Sequence, residues 1–301
     1  MKKSIKLSAV LVSVCALLLT SCINNEITNI SSDKTSLNLV VGHADSLAVT
    51  LTFTGDLAKQ PITYTSGNTA VATVKESAIA GTSTATTTKK TVIVSGVSPG
   101  TATITVLAGG KTITCTITVD DIFPTLSQGE LDYWGDVYTS TTSNNFTLYL
   151  ASSGIDLTTL KGIGEILVVE LNTPLTVTDS IPTGTYDMIT DLTTANLLPN
   201  TLVPAYVDDS NNQWGCWYYG SVTSPITLGN IVVSKVGANY TIAYELYDYL
   251  GAKISGTYTG ALTYVDTTAA AAGAPKSVLK SKGNFVQPTL IPRKMTFRKR
   301  N

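Results

Sequence analysis

Residues 104–119, Ile104-Thr-Val-Leu-Ala-Gly-Gly-Lys-Thr-Ile-Thr-Cys-Thr-Ile-Thr-Val119, have the pattern of two β-strands joined at a glycine pair. Apolar residues recur at every second position on both sides of the pair, with threonine at most positions between them. Successive side chains of a strand point to opposite faces, so this pattern predicts strands with one buried face. Leu47 to Phe53 alternate in the same way. Glycines separate about seven such strands over residues 31–120, a spacing that predicts a β-sandwich.

This stretch resembles the group 2 bacterial immunoglobulin-like domain over its whole length. The resemblance rests on Leu37-Asn-Leu-Val-Val-Gly42, Ile62-Thr-Tyr-Thr-Ser-Gly-Asn-Thr-Ala-Val-Ala-Thr-Val74 and Val94-Ser-Gly-Val-Ser-Pro-Gly-Thr-Ala-Thr-Ile-Thr-Val106. The family usually has Trp where this chain has Tyr64, which we interpret as a substitution within the core. The resemblance implies a spacer or adhesion module on a cell surface, and it brings no catalytic residues to this chain.

The first 22 residues have the pattern of a lipoprotein signal. Basic residues precede an apolar run from Ala9 to Leu19, which is too short to cross a bilayer as a helix. The following Leu19-Thr-Ser-Cys22 resembles the lipobox of bacterial lipoproteins, in which the cysteine becomes the first mature residue and carries acyl chains. We therefore expect a signal peptide over residues 1–21, lipid on Cys22 and a polar leader over residues 22–30. The alternative is an ordinary cleaved signal peptide with a chance cysteine.

A lipidated Cys22 predicts the location of the protein. Each buried methylene contributes about 0.8 kcal/mol, so several acyl chains make a stable anchor without a transmembrane helix. The expected location is the outer membrane of the cell envelope, with the protein facing the surface or the periplasm. The membrane is then a partner through the lipid alone.

Residues 121–266 predict a second domain of strands. Its β-rich segments alternate with turn signals, and no segment has a helical period. The last four strands have short connections, which leaves an up-and-down β-barrel or a second β-sandwich. The expected fold class is therefore all-β, with an N-terminal Ig-like sandwich followed by this second domain.

Charge separates a basic tail from an acidic body. Residues 23–266 carry nine lysines, no arginine and all 21 acidic residues, whereas residues 267–301 carry eight lysines and arginines and no acid. An acidic body repels phosphate groups, so nucleic acid is not an expected partner. The tail also contains large apolar residues, among them Phe285, Leu290 and Phe297. We expect it either to pack on the second domain or to dock another envelope protein, and a solvated extension is the alternative.

The aromatic run Trp214-Gly-Cys-Trp-Tyr-Tyr-Gly220 is the candidate binding site. In a continuous strand, Trp214 and Tyr218 share one face while Trp217 and Tyr219 share the other. A domain with one solvated face does not need aromatic residues on both, so one set is expected to be exposed, where sugar rings can stack on it. The alternative is burial of both faces. The candidate glycan-binding residues are Trp214, Trp217, Tyr218, Tyr219, Asp208 and Asp209.

The sequence offers little for catalysis, and we expect no enzyme and no cofactor. His43 is the one histidine and is expected on the surface, so a serine or cysteine nucleophile lacks its base. A metal site is not expected, because no cysteine pair has ligand spacing. A disulfide between Cys115 and Cys216 is not expected, since they fall in different domains. The remaining enzymatic alternative is glycoside hydrolysis by a carboxylate pair, with candidates Glu165, Glu170, Glu245 and Asp248.

Two short motifs predict modification. Asp45-Ser46-Leu47 and Asp179-Ser180-Ile181 match an Asp-(Ser/Thr)-apolar sequon for O-glycosylation found in some Gram-negative envelopes. The candidate sites are Ser46 and Ser180, and a chance match is the alternative. Taken together, these features predict an envelope lipoprotein that binds a glycan or a surface partner. The alternative is a structural or adhesin-like spacer.

Overall fold

A computed structural model describes residues 25–57, 60–78, 81–207 and 211–268. These ranges contain β-strands and no α-helix, and a 3-10 helix spans Thr194–Asn196. The expected all-β fold class is thereby confirmed. In the described ranges, no helix is long and apolar enough to cross a membrane. The chain divides into two compact units: one holds the residues up to Leu39 with Ala44–Val119, and the other holds Val40–His43 with the residues from Asp120 onward.

The first unit has the strand arrangement of an immunoglobulin-like sandwich. Its strands are β1 (Glu26–Ser32), β2 (Ser36–Val40), β3 (Ala44–Thr54), β4 (Ile62–Ser66), β5 (Ala72–Glu76), β6 (Thr87–Gly96), β7 (Gly100–Ala108) and β8 (Lys111–Asp120). They form two four-stranded sheets in the orders β1-β3-β6-β5 and β2-β8-β7-β4. An immunoglobulin sandwich orders its strands A-B-E-D in one sheet and C-F-G in the other. The order β1-β3-β6-β5 corresponds to A-B-E-D, and β4-β7-β8 corresponds to C-F-G, with β2 added beside β8. The strand topology of this unit is therefore Ig-like.

The core of this unit follows the predicted alternation. Leu47, Val49 and Leu51 of β3 are buried, and Ala48 and Thr50 between them are more exposed. Tyr64 on β4 lies opposite the buried Val106 of β7. Directly opposed residues of two paired strands project to the same face, so the Tyr64 side chain points toward the core, where burial raises its pKa to about 12.

The leader expected over residues 22–30 is wrong from residue 26 onward, because β1 begins there and pairs with β3. Ile27 and Ile30 are both buried, although they are three residues apart. A register shift between Ile27 and Asn29 breaks the period of two and brings both isoleucines to the core side. A local sequence pattern with this spacing does not indicate a strand.

The second unit contains fourteen strands. They are β9 (Gln128–Gly135), β10 (Ser143–Ala151), β11 (Ile155–Asp156), β12 (Lys161–Gly162), β13 (Ile166–Pro174), β14 (Gly184–Met188), β15 (Thr201–Leu202), β16 (Tyr206–Val207), β17 (Gln213–Trp214), β18 (Trp217–Tyr219), β19 (Thr223–Val236), β20 (Asn239–Asp248), β21 (Lys253–Ala261) and β22 (Thr263–Asp266). Ten of them form one sheet in the order β21-β20-β19-β14-β15-β13-β10-β9-β22, with β18 paired to both β13 and β19. The remaining four form the hairpins β11-β12 and β16-β17.

The ten-stranded sheet closes on itself. β21 and β22 are separated only by Leu262, yet they stand at opposite ends of the strand order. β22 pairs in parallel with β9, with Thr263 opposite Glu130, and Ile122 forms a parallel bridge with Ile254 of β21. Of the two expected architectures, the barrel-like one is observed. β9 and β22 run in the same direction, so the pair that closes the sheet is parallel. Neighbouring strands of an up-and-down barrel are antiparallel, so this domain departs from that arrangement at β9 and β22.

Strand β9 has no counterpart in the sequence-based expectation. Its residues Glu130 and Asp132 are buried, at 6% and 0% exposure, although carboxylates usually mark a solvated face. β10 and β13 are likewise buried over nearly their whole length. Part of the face that carries Tyr149 is covered by the loop residues Leu157 and Ala205 and by Val207 of β16. This cover brings the aromatic run into a mostly buried setting.

Candidate ligand-binding site

The aromatic run does not form one continuous strand. β17 ends at Trp214 and β18 begins at Trp217, with Gly215 and Cys216 between them. Gly215 has a φ of +79°, and a Cβ at this position would lie 2.2 Å from the carbonyl oxygen of Pro204. Only glycine fits such a backbone at such a close approach. The break separates Trp214 from the aromatic residues that follow it.

Those three following residues belong to the core. Trp217, Tyr218 and Tyr219 are 1%, 0% and 8% exposed. The rings of Trp217 and Tyr219 stack with centroids 6.2 Å apart, and the Tyr218 hydroxyl donates to Glu165 at 2.5 Å. The alternation expected within this segment is observed, but both faces are covered. Their burial removes Trp217, Tyr218 and Tyr219 from the candidate ligand-binding set.

A partly exposed aromatic pair remains, formed by Tyr206 and Trp214. The two residues are directly opposed in the β16-β17 hairpin. Their rings stack at a centroid distance of 6.5 Å and an interplanar angle of 18°, and both side chains are half-buried. Asn212 and Gln213 precede Trp214 and are also partly exposed. Asp208 and Asp209 lie outside the described residues.

Tyr206 was not singled out by its local sequence. It follows Pro204-Ala205 in a short apolar stretch and has no aromatic neighbour within several residues. Its pairing with Trp214 across the hairpin is seen only in the three-dimensional structure. The available signal was the polar stretch over residues 208–212, which is typical of a turn that brings its two flanks together.

A buried carboxylate lies beneath the hairpin and ties it to the sheet. Oε2 of Glu170 on β13 accepts the backbone N–H of Gly215 at 2.7 Å. Its Oε1 accepts the Asn145 side-chain amide at 3.1 Å and the Tyr138 hydroxyl. The Tyr138 hydroxyl in turn lies 3.3 Å from that of Tyr206. Glu170 therefore connects both strands of the hairpin to β13, directly through Gly215 and through Tyr138 to Tyr206.

The protonation of this network follows from its burial. Burial raises the pKa of Glu170, and the hydrogen bonds from Tyr138, Gly215 and Asn145 oppose that rise by favouring the carboxylate. Burial and the adjacent Glu170 raise the pKa of Tyr138 well above its ordinary value. Tyr138 therefore keeps its proton at neutral pH and acts as a donor.

Apolar residues support the pair from one side. Leu192, Leu197 and Val203 form a buried cluster against which Tyr138 and Tyr206 pack. The ring of Tyr206 is thus held by packing as well as by its hydroxyl.

His43 departs from its expected place on the surface. It belongs to the second unit, where its Nε2 lies 3.2 Å from Oδ2 of Asp248 and its side chain is 19% exposed. Ser224 Oγ lies 3.0 Å from the same carboxylate oxygen and 3.5 Å from the same imidazole nitrogen. A catalytic Ser-His-Asp triad places the serine and the aspartate on different nitrogens. The arrangement does not form that relay.

The four carboxylates considered for glycoside hydrolysis each have their own donors. Glu170 is held as described, and Asp248 accepts the backbone N–H groups of Leu250 and Ala252. Glu165 accepts the Tyr218 hydroxyl, and the exposed Glu245 pairs with Lys253 at 2.8 Å. These separate settings give no support to a hydrolytic pair.

Three further predictions concern single residues or ions. Cys115 and Cys216 are buried free thiols and belong to separate units. Cys22 and residues 269–301 lie outside the described part of the chain. Within the described part, no group of three or more His, Cys, Asp or Glu side chains is placed to hold a metal ion.

The two sequons share a pattern of exposure, although Ser46 lies in β3 and Ser180 lies outside the strands. Ser46 and Ser180 are partly exposed, and each follows an exposed aspartate. The apolar residues that follow, Leu47 and Ile181, are both 1% exposed. Glycosylation of Ser46 and Ser180 stays a prediction.

No protein-family model and no curated protein matches the chain. Among solved structures, it is similar to domains 4 and 5 of the S-layer protein SbsC, at 30% identity and a TM-score of 0.27, over 32% of this chain and 53% of that one. It is also similar to SbsC domains 5–6, at 17% identity, 80% and 100% coverage and a TM-score of 0.28. The adhesin InvE of Yersinia pseudotuberculosis matches at 14% identity, 78% and 60% coverage and a TM-score of 0.23. With such low TM-scores, these similarities assign no function to the chain.

Proposed function

We propose that the protein is a cell-envelope lipoprotein, anchored through lipid on Cys22, whose second domain binds a glycan at the Tyr206–Trp214 pair. The observation that carries this proposal is the half-exposed, stacked pair on a hairpin fastened from below by Glu170. A binding surface that is ordered before its ligand arrives loses little conformational freedom on binding. The aromatic pair meets that condition.

The chemistry of the pair suits a sugar ring. Tyr and Trp offer flat apolar area with few rotatable bonds, together with a polar edge. The C–H face of a sugar packs on such a ring, and its hydroxyls pair with nearby amides and hydroxyls. Asn212 and Gln213, which are partly exposed and directly precede Trp214, bring side-chain amides to this hairpin.

The first unit supports a second candidate function, that of a structural or adhesin-like spacer. Threonines of β7 and β8 oppose each other in three successive pairs, Thr101 with Thr118, Thr103 with Thr116 and Thr105 with Thr114. Such a face of β-branched polar residues stabilises a solvated sheet. It carries no aromatic residue or charge within these pairs, which suits a spacer better than a ligand site.

Binding of the soluble chain starting at Ile23 to a glycan array tests the proposal. The intact chain should bind at least one class of glycan, and Trp214→Ala should reduce that binding at least ten-fold. Tyr249→Ala is the matched control, because Tyr249 is also an exposed aromatic residue, at 42%, and lies in the β20-β21 turn. Absence of binding across the array, or equal loss in both variants, would reject the glycan site and favour the spacer.

A further inference from the structure

The net negative charge of the body lies entirely in the domain that carries the aromatic pair. Residues 23–119 hold six lysines and five acidic residues, so they are nearly neutral. Residues 120–268 hold sixteen acidic residues against three lysines, with no arginine and no histidine. The eight lysines and arginines of the tail reduce this imbalance without reversing it, because residues 120–301 hold sixteen acidic residues against eleven basic ones. A net negative charge repels anions as they approach.

The three lysines of this domain are placed elsewhere in the fold. Lys253 pairs with Glu245 at 2.8 Å. Lys235 lies 4.6 Å from the ring centroid of Tyr240, and Lys161 is exposed on β12. None of these three belongs to the β16-β17 hairpin or to the clusters that support Tyr206.

Acidic residues neighbour, along the chain, the residues that support the pair. Asp136 is two positions before Tyr138, and the exposed Asp191 directly precedes Leu192, which belongs to the cluster that holds Tyr206. Glu170 lies beneath the hairpin. Stacking of a sugar on aromatic rings needs no charge on the sugar, whereas binding of carboxylated or sulfated sugars is strengthened by cations at the site.

We infer that the Tyr206–Trp214 site selects uncharged sugar chains and rejects chains that carry carboxylate or sulfate groups. This inference rests on the proposed function, and it adds the class of ligand. The negative potential acts on the charge of the sugar, while the ring faces act on its shape. A neutral chain and its charged derivative with the same backbone should therefore differ in affinity.

The test compares one neutral glucan with its carboxymethylated derivative of equal length, both titrated against the soluble chain by calorimetry. At 20 mM salt, the neutral glucan should bind at least ten-fold more tightly than the derivative. At 300 mM salt the ratio should fall, because salt screens interactions between exposed charges. Equal or tighter binding of the derivative at 20 mM would overturn the inference.

Two variants separate this inference from the proposed function. Asp191→Lys should reduce the ratio of the affinity for the neutral glucan to the affinity for its carboxymethylated derivative. The matched Asp191→Asn should reduce this ratio less. Suppose that the carboxymethylated derivative binds the intact chain with the same affinity as the glucan, and that Trp214→Ala abolishes this binding. The glycan site is then supported, and the inferred selection for neutral chains is wrong. If neither polymer nor any array glycan binds, both proposals are wrong.

Discussion

Glu170 accepts a hydrogen bond from the backbone N–H of Gly215, 45 residues later in the chain, at 2.7 Å. The contact is buried. It joins a carboxylate on β13 to the glycine at which the aromatic run breaks. The position of Trp214 therefore depends on a buried carboxyl group that lies beneath the hairpin.

Replacing Glu170 with Gln should destabilise the second domain. Both oxygens of Glu170 accept hydrogen bonds, so the amide group of Gln would face at least one donor wherever it points. An unsatisfied buried donor costs about 1–3 kcal/mol. Urea denaturation at pH 7 measures the change, with Glu245→Gln as the exposed control, and equal stability of both variants would contradict the assigned role.

The effect of Glu170→Gln on stability should depend on pH. Burial raises the pKa of Glu170 in the folded state above the ordinary glutamate value of 4.5. A raised folded pKa gives a stabilising contribution that is complete below the unfolded pKa and is lost as pH rises through the folded pKa. The stability lost in Glu170→Gln relative to the intact chain should therefore be larger at pH 4 than at pH 7. A difference that shrinks on acidification would show that the hydrogen bonds outweigh burial.

Removing β1 should destabilise the Ig-like unit. A fragment of residues 33–120 lacks Ile27 and Ile30, which are buried in the structure, and burial of one such side chain contributes about 1.5–3 kcal/mol. A fragment of residues 25–120 should fold as an all-β domain with a higher urea midpoint. Thr28→Ala in the longer fragment is the control, since Thr28 is exposed. Equal urea midpoints for the two fragments would show that residues 26–32 do not stabilise the unit, as expected of a leader.

Lipidation is expected to depend on Cys22. Cys22→Ser should abolish incorporation of labelled fatty acid and release the protein from the membrane fraction, because no acyl chain can attach to serine through sulfur. Cys15→Ser, within the expected signal peptide, should leave both measurements unchanged. Persistent labelling of the Cys22 variant would contradict the lipoprotein interpretation.

The basic tail is expected to pack on the second domain. Deleting residues 275–301 removes all eight lysines and arginines of the tail, while the preceding domain is strongly acidic. The deletion should lower the melting temperature of the second domain, and more so at low salt than at high salt. An unchanged melting temperature at both salt concentrations would leave the tail available to a partner instead.

Local alternation was sufficient to predict most strands of both units. The period of two in Leu47–Phe53 and Cys115–Val119 survives in the structure because these strands bury one face within a sandwich. In the second domain, β20 shows the same alternation of buried and exposed residues. A strand with one buried face and one solvated face has alternating apolar and polar residues, so its sequence indicates its environment.

The sequence by itself determined the all-β class, the Ig-like stretch, the charge division and the position of the aromatic run. The tertiary structure alone decided that β1 is a strand, that β9 buries Glu130 and Asp132, and that Trp214 rather than Trp217 reaches the surface. These outcomes depend on a register shift, on loops that cover the second face of a sheet, and on a contact between Glu170 and Gly215. Each joins residues that are distant along the chain, and a local pattern carries no information about what will cover it.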